Sequence, residues 1–258
     1  MNTQSNGYTV VYSAIMVVVV AAALTLIAVG LKPFQQANID NEKRQNILKS
    51  AGITAEGSIE DAYNKYVKES FVVDLNGATV SGAEAFKTDL DVKGGKLPVY
   101  VIDKNGQKLY VVPLKGNGLW GPIWGFASLK EDFNTIEGVV FDHASETPGL
   151  GAEMTQQYFC DQFKGRELAE GAAFAGIKQV YKGNPKDPSD DQDPKHGIDA
   201  ISGSTMTTNG VQAMVNDCLK AYDNFRAKVS GKGGVSQSEK KVDEISDAPQ
   251  AQVTNVNE

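Results

Sequence analysis

Two cysteines, two histidines and no Cys-x-x-Cys give a structural zinc site almost nothing to build from. Cys160 and Cys218 stand far apart, and Cys218 falls on an apolar helical stripe, so the default there is a buried free thiol, with a disulfide left open. Basic clusters are missing too. With 25 Lys and Arg against 32 Asp and Glu the net charge is −7, which excludes a nucleic-acid partner. The nucleophile signature Gly-x-Ser-x-Gly is absent, and the aspartates of segment 183–197 lack the central glycine and closing glutamate of a calcium loop.

The most telling absence is of charge: residues 1–31 carry no charged side chain. Residues 8–31 form an apolar run which, at 1.5 Å per residue, spans about 36 Å, enough to cross a bilayer with some tilt. A cleaved signal peptide fits less well, because no Lys or Arg precedes the run and the run exceeds a typical signal core. The chain therefore divides into a short segment 1–7, a membrane helix 8–31, a juxtamembrane helix and linker 32–60, a packed domain 61–229 and a disordered tail 230–258. The tail has no aromatic residue and is rich in Gly, Ser, Gln, Lys and Asp.

Within the packed domain, 97–114 alternates around Asn105-Gly106 and predicts a β-hairpin, with Tyr100, Ile102, Tyr110 and Val112 as its apolar positions. Residues 136–141 and 177–181 read as strands, and 152–163 and 207–229 as helices. Residues 35–49 read as a polar helix leaving the membrane, capped by Gly52. Segment 183–197, with three prolines and four aspartates, reads as an exposed loop. Hairpins mixed with few helices make the fold α+β. Residues 116–121 satisfy Gly-x-Gly-x-x-Gly, but Pro122 and Gly125 follow where a dinucleotide site needs a helix, so the match is read as a turn before Trp120 and Trp124.

The chemistry concentrates in Asp199-Ala200-Ile201-Ser202-Gly203-Ser204-Thr205, just ahead of a helix striped by Val211, Met214, Val215, Cys218, Leu219, Tyr222 and Phe225. Thr207, Thr208 and Asn209 are its N-cap candidates. A helix start offers unpaired N–H groups and partial positive charge, which suit a phosphate. The bland reading is an ordinary loop before a helix.

That segment resembles the flavinylation motif Asp-x-x-Ser/Thr-Gly-Ala-Thr, matching at Asp199, Ser202, Gly203 and Thr205 and departing at Ser204, where Ala is usual. A second segment, His143-Ala144-Ser145-Glu146-Thr147-Pro148-Gly149-Leu150-Gly151, resembles the His-x-x-Glu-Thr-Pro-Gly-Leu-Gly loop of the same FMN-binding domains. With Lys49-Ser50-Ala51-Gly52-Ile53 and Gly118-Leu119-Trp120-Gly121, the likeness spans nearly the whole chain. It is strongest to the NqrC family, one of the subunits of the Na+-translocating NADH:quinone reductase (Nqr complex), with RnfG of the Rnf electron-transport complex as near relative.

The resemblance implies an electron-relay subunit with FMN joined by a phosphoester to Thr205, placed there by a separate flavin transferase. It implies that Ser202, Gly203, Ser204 and Thr208, with Asp199, surround the phosphate, and that Glu146, Thr147, Leu150 and Gly151 meet the ring. Trp120 is a further candidate for ring contact, with core packing the commoner role. The implied partners are the other subunits of a membrane redox complex that oxidises NADH, reduces quinone and exports Na+. The implied place is the inner membrane, single-pass, with the domain extracytoplasmic, in the periplasm. The charge rule points the other way, since Lys32, Lys43, Arg44 and Lys49 all follow the apolar run. A different class stays open: an anchored hydrolase with Ser204 or Thr205 as nucleophile and His143 or His196 as base.

Overall fold

The computed structural model describes residues 5–180, 193 and 195–231. Its first element, α1 (Asn6–Ser50), is one continuous helix through the apolar run and the polar stretch beyond it, with Pro33 inside. Ser5 caps its start, the hydroxyl accepting the Tyr8 N–H at 3.3 Å. It ends as expected at Gly52, which takes φ +67° while Gly52 and Ile53 donate to the Lys49 and Leu48 carbonyls. The apolar part is fully exposed. Only the far end packs, through Ile47 and Leu48.

After α2 (Ile59–Tyr66) come five strands: β1 (Val67–Val73), β2 (Leu97–Lys104), β3 (Gln107–Asn117), β4 (Pro122–Leu129) and β5 (Ile136–His143). They pair in sequence order as an antiparallel meander. The β2–β3 hairpin turns at Asn105 and Gly106, both at positive φ, the conformation for which Asn-Gly is favoured. Both faces of the sheet are covered. Tyr100, Ile102, Leu109, Val111 and Phe126 meet Ile47 and Leu48 of α1 on one side, while Val99, Val101, Tyr110, Val112 and Leu114 enter the larger core on the other. This is why β2 is buried at six consecutive positions. The antiparallel register sends Tyr100 and Tyr110 to opposite faces.

The second half departs from the sequence expectations in two places. Residues 152–163 are not one helix: a 3-10 turn (Gly151–Thr155), the four-residue α3 (Gln157–Cys160) and a second 3-10 turn (Asp161–Phe163) bend the segment so that Phe159 and Phe163 both reach Phe141. The expected helix 207–229 is two, α4 (Thr205–Ala221) and α5 (Asp223–Val229). They part at Tyr222, which is fully buried with its hydroxyl donating to the Pro98 carbonyl at 2.8 Å.

Short pairs complete the domain: β6 (Ala169–Glu170) with β7 (Ala173–Phe174), and β8 (Lys178–Val180) parallel to β9 (Gly197–Asp199). The fold is α+β. Tyr181, most of the loop expected at 183–197 and the tail from 232 onward lie outside the described residues. The Gly116 to Gly121 match contains no helix; β3 runs into it and β4 leaves it, with the Gly118 N–H on the Gly121 carbonyl. Both cysteines are free and buried.

Candidate functional site

Glu146 is the junction of the candidate site. Its side chain is 4% exposed, far below what an isolated carboxylate tolerates, and both oxygens are satisfied. Oε1 accepts the Trp120 N–H at 2.9 Å, and Oε2 accepts the Thr207 hydroxyl at 2.7 Å. Its own N–H donates to His143 Nδ1 at 3.1 Å. One side chain thus ties the turn after β3, the loop after β5 and the first turn of α4. Gly118 and Gly151 have no room for a side chain because the Glu146 carboxyl fills it.

The start of α4 differs from the sequence expectation. The helix begins at Thr205, and Ser204 stands at the N-cap position, so Thr207, Thr208 and Asn209 lie inside the helix rather than capping it. The Ser204 hydroxyl caps no backbone N–H; it donates to the Thr207 hydroxyl at 3.0 Å, which passes its own proton toward Glu146. Thr208 donates back to the Ser204 carbonyl and accepts the Ile201 N–H, both at 3.0 Å. Three hydroxyls of the cluster are therefore buried and committed. Those of Ser202 and Thr205 are exposed.

The turn leading there needs Gly203, which sits at φ +73° with Leu150 packed against it. Because the Ser204 side chain does not cap α4, its leading N–H groups, which have no partner within a helix, meet no side-chain acceptor among the described residues beside Thr205.

Of the other sequence candidates, Leu150 and Thr147 are exposed, and the Thr147 carbonyl closes its loop by accepting the Leu150 and Ala152 N–H groups. Gly151 is buried. Asp199 ends β9, with its N–H held by Gln162 Oε1 at 2.7 Å. Trp120 corrects an expectation: at 64% exposure it packs into no core. Leu119, Leu150 and Met206 share that exposure on the segments Glu146 ties or beside the turn Leu150 packs against. Thr207 was missed as a site residue. Its only signal in sequence was that a buried Glu146 would require donors.

Among the described residues neither imidazole is hydrogen-bonded to the Ser204 or Thr205 hydroxyl. His143 Nδ1 is occupied by the Glu146 N–H, and buried His196 lies between the Glu167 carbonyl and Glu170 Oε1. Among the described residues no group of three or more His, Cys, Asp or Glu is placed to hold a metal.

Comparison with known proteins places this geometry. Residues 118–220, which contain the Trp120 turn, Glu146 and the start of α4, match the FMN-binding domain family. NqrC of Vibrio anguillarum, a subunit of the Na(+)-translocating NADH-quinone reductase, is 30% identical over 231 residues, covering 80% of this chain and 88% of its own. The chain belongs to the NqrC family. The corresponding protein of Pasteurella multocida is 32% identical over 254 residues, covering 86% of this chain and 94% of that protein.

The fold agrees. A crystal structure of NqrC from Parabacteroides distasonis superposes with a TM-score of 0.68 at 40% identity, covering 76% of this chain and 96% of that one. The Shewanella oneidensis NqrC structure gives 0.62 at 26% identity, covering 76% and 99%. Membership in the NqrC family is what these matches carry, and it makes the chain a subunit of an NADH-quinone reductase, an oxidoreductase complex.

Proposed function

We propose that this chain is an electron-relay subunit whose FMN is joined by a phosphoester to Thr205. The observation that carries the reading is the separation of hydroxyls: Ser204, Thr207 and Thr208 are buried in hydrogen bonds, while Thr205 faces solvent at the uncapped start of a 17-residue helix. Open N–H groups and the positive end of the helix dipole suit the phosphate. Exposed Leu119, Trp120, Leu150 and Met206 offer an apolar surface of the kind a flat ring covers. The residues present therefore fit the group.

When bound, FMN supplies electron transfer; the chain supplies its place. Thr205 tethers, the α4 N–H groups hold the phosphate, Glu146 fixes the three segments around it, and the apolar residues exclude water from one face. A separate flavin transferase makes the bond, since among the described residues no base is hydrogen-bonded to the Thr205 hydroxyl. The helix α1 anchors the protein in the inner membrane, single-pass, against the lipid and the other subunits, with the domain in the periplasm. Acidic residues mixed among the basic ones after the run, and the ease with which large domains translocate, set aside the charge rule. The complex would oxidise NADH, reduce quinone and move Na+ outward.

The test is flavin fluorescence of the band after denaturing electrophoresis of membranes from a host with the transferase. The native chain should glow and Thr205→Val should be dark. Equal fluorescence in both would reject Thr205 as the tether. Labelling of single cysteines placed on exposed domain residues, in intact cells, decides the orientation.

A further inference from the structure

The face of α4 that begins at exposed Thr205 continues through exposed Asn209 and half-buried Gln212, at spacings of four and seven residues. Opposite them stands Gln179 of β8. Its Nε2 donates to Asn209 Oδ1 at 2.7 Å and lies 3.5 Å from Gln212 Oε1. Gln179 is fixed from behind, because β8 pairs with β9 and sets Gln179 opposite Ile198, in the strand that leads to the Thr205 turn.

Two features set this amide cluster apart from a helix-to-strand tie. Gln179 Oε1 is buried with no hydrogen-bond partner among the described residues. A polar atom left so is uncommon in a contact whose only purpose is stability. Asn209 is exposed on the face that carries Thr205, and with Oδ1 committed to Gln179 its NH2 group is left without a hydrogen-bond partner among the described residues.

We propose that Asn209, held in orientation by Gln179, donates a hydrogen bond to the ribityl chain of a flavin tethered at Thr205. This rests on the covalent reading of Thr205. One helical turn separates the two residues, about 6 Å along the axis. A polyol joined through phosphate at Thr205 and laid along the helix brings its hydroxyls to that level. Asn209 supplies donors and Gln212 Oε1 an acceptor, the pair a hydroxyl satisfies at once. Asn209 is then a contact to the cofactor and Gln179 a positioning residue that never touches it.

The test uses the full chain, purified from membranes with and without the flavin transferase, as native protein and as Asn209→Ala, Asn209→Asp and Gln179→Leu. Three quantities are read: intact mass, the gain in Tm of loaded over bare protein, and fluorescence anisotropy of the attached flavin. Mass should show FMN on all four proteins. The Tm gain should fall by about 2–4 °C in each variant, the size of one lost hydrogen bond in a domain of this length, with lower anisotropy as the flavin loosens. Asn209→Asp keeps the acceptor for Gln179 but puts a charged carboxylate oxygen in place of the outward donor, while Asn209→Ala removes the donor without adding charge, so a loss shared by both variants is the loss of the donor.

Bare Asn209→Ala should melt within about 2 °C of the native bare chain, because the better helix propensity of Ala offsets the lost hydrogen bond from Gln179. Unchanged Tm gain and anisotropy in loaded Asn209→Ala and Asn209→Asp would overturn the contact while leaving the tether intact. A native chain with no FMN in a competent host would overturn the tether and this contact with it.

Discussion

At the scale of single residues, Glu146 decides how the site is held. Truncation to Ala leaves the buried Thr207 hydroxyl and the part-buried Trp120 N–H without this acceptor, a loss of about 1–3 kcal/mol carried mainly by Thr207. Urea denaturation of flavin-free protein measures it. Glu146→Gln should lose less than half as much, because the Thr207 hydroxyl can turn to accept from the new amide; equal losses would deny that rotation. Ser204 shows how far residue-level reading goes. Sequence marked it as the one departure from the motif, a hydroxyl where Ala is usual. Its engagement with Thr207 depends on a glutamate far back in the chain, which no local pattern reveals. Thr205 itself was legible, because a motif fixes its place in the chain whatever surrounds it.

At the scale of elements, α4 lies on the end of β3 at backbone distance, and Gly210 is where they meet. A Cβ there would enter the Asn117 carbonyl. In an exposed helix Gly→Ala stabilises by roughly 1 kcal/mol. Here Gly210→Ala should reverse the sign and destabilise by about 1–3 kcal/mol, because backbone must move. A lower denaturation midpoint is the expected result, and a higher one would mean that α4 sits farther from the sheet. The hairpin at Asn105-Gly106 and the strand at 136–141 could be read in advance because short-range turn chemistry and apolar runs specify them. The breaks at Gln156 and Tyr222 could not. Tyr222 leaves the helix to place its hydroxyl on Pro98, in a strand from the first half of the chain, and apolar spacing carries no record of such a partner. The same limit hid the double burial of β2, whose two faces are covered by segments from opposite ends of the chain.

At the scale of the whole molecule, the membrane helix and the domain share one rod, yet the apolar part of α1 makes no buried contact. A chain beginning near Phe34 should therefore fold in water with Tm within about 2 °C of the full chain in detergent, the domain keeping Ile47, Leu48, Ala51 and Ile53 under the sheet. A larger fall would show that the anchor supports the fold. The domain should also weaken in alkali. Burial pushes the Cys160 thiol up to about 11 from 9.0 and the Tyr63 hydroxyl up to about 12 from 10.0, the latter against the opposing charge of Arg44. The folded state keeps these protons where the unfolded chain releases them, so the stabilisation is complete below pH 9.0 and declines as pH rises toward 12. Denaturation midpoints across that range check it, and Cys160→Ala should flatten the lower part of the decline. Above all of these stands the covalent flavin, on which the role of this protein in the complex depends. The most direct measurement is the intact mass of the chain purified from membranes of a flavinylating host, beside Thr205→Val and Ser204→Ala. An FMN-sized addition on the native and Ser204→Ala chains, absent from Thr205→Val, is the predicted result; a native chain of unmodified mass, or an addition that survives loss of Thr205, would contradict it.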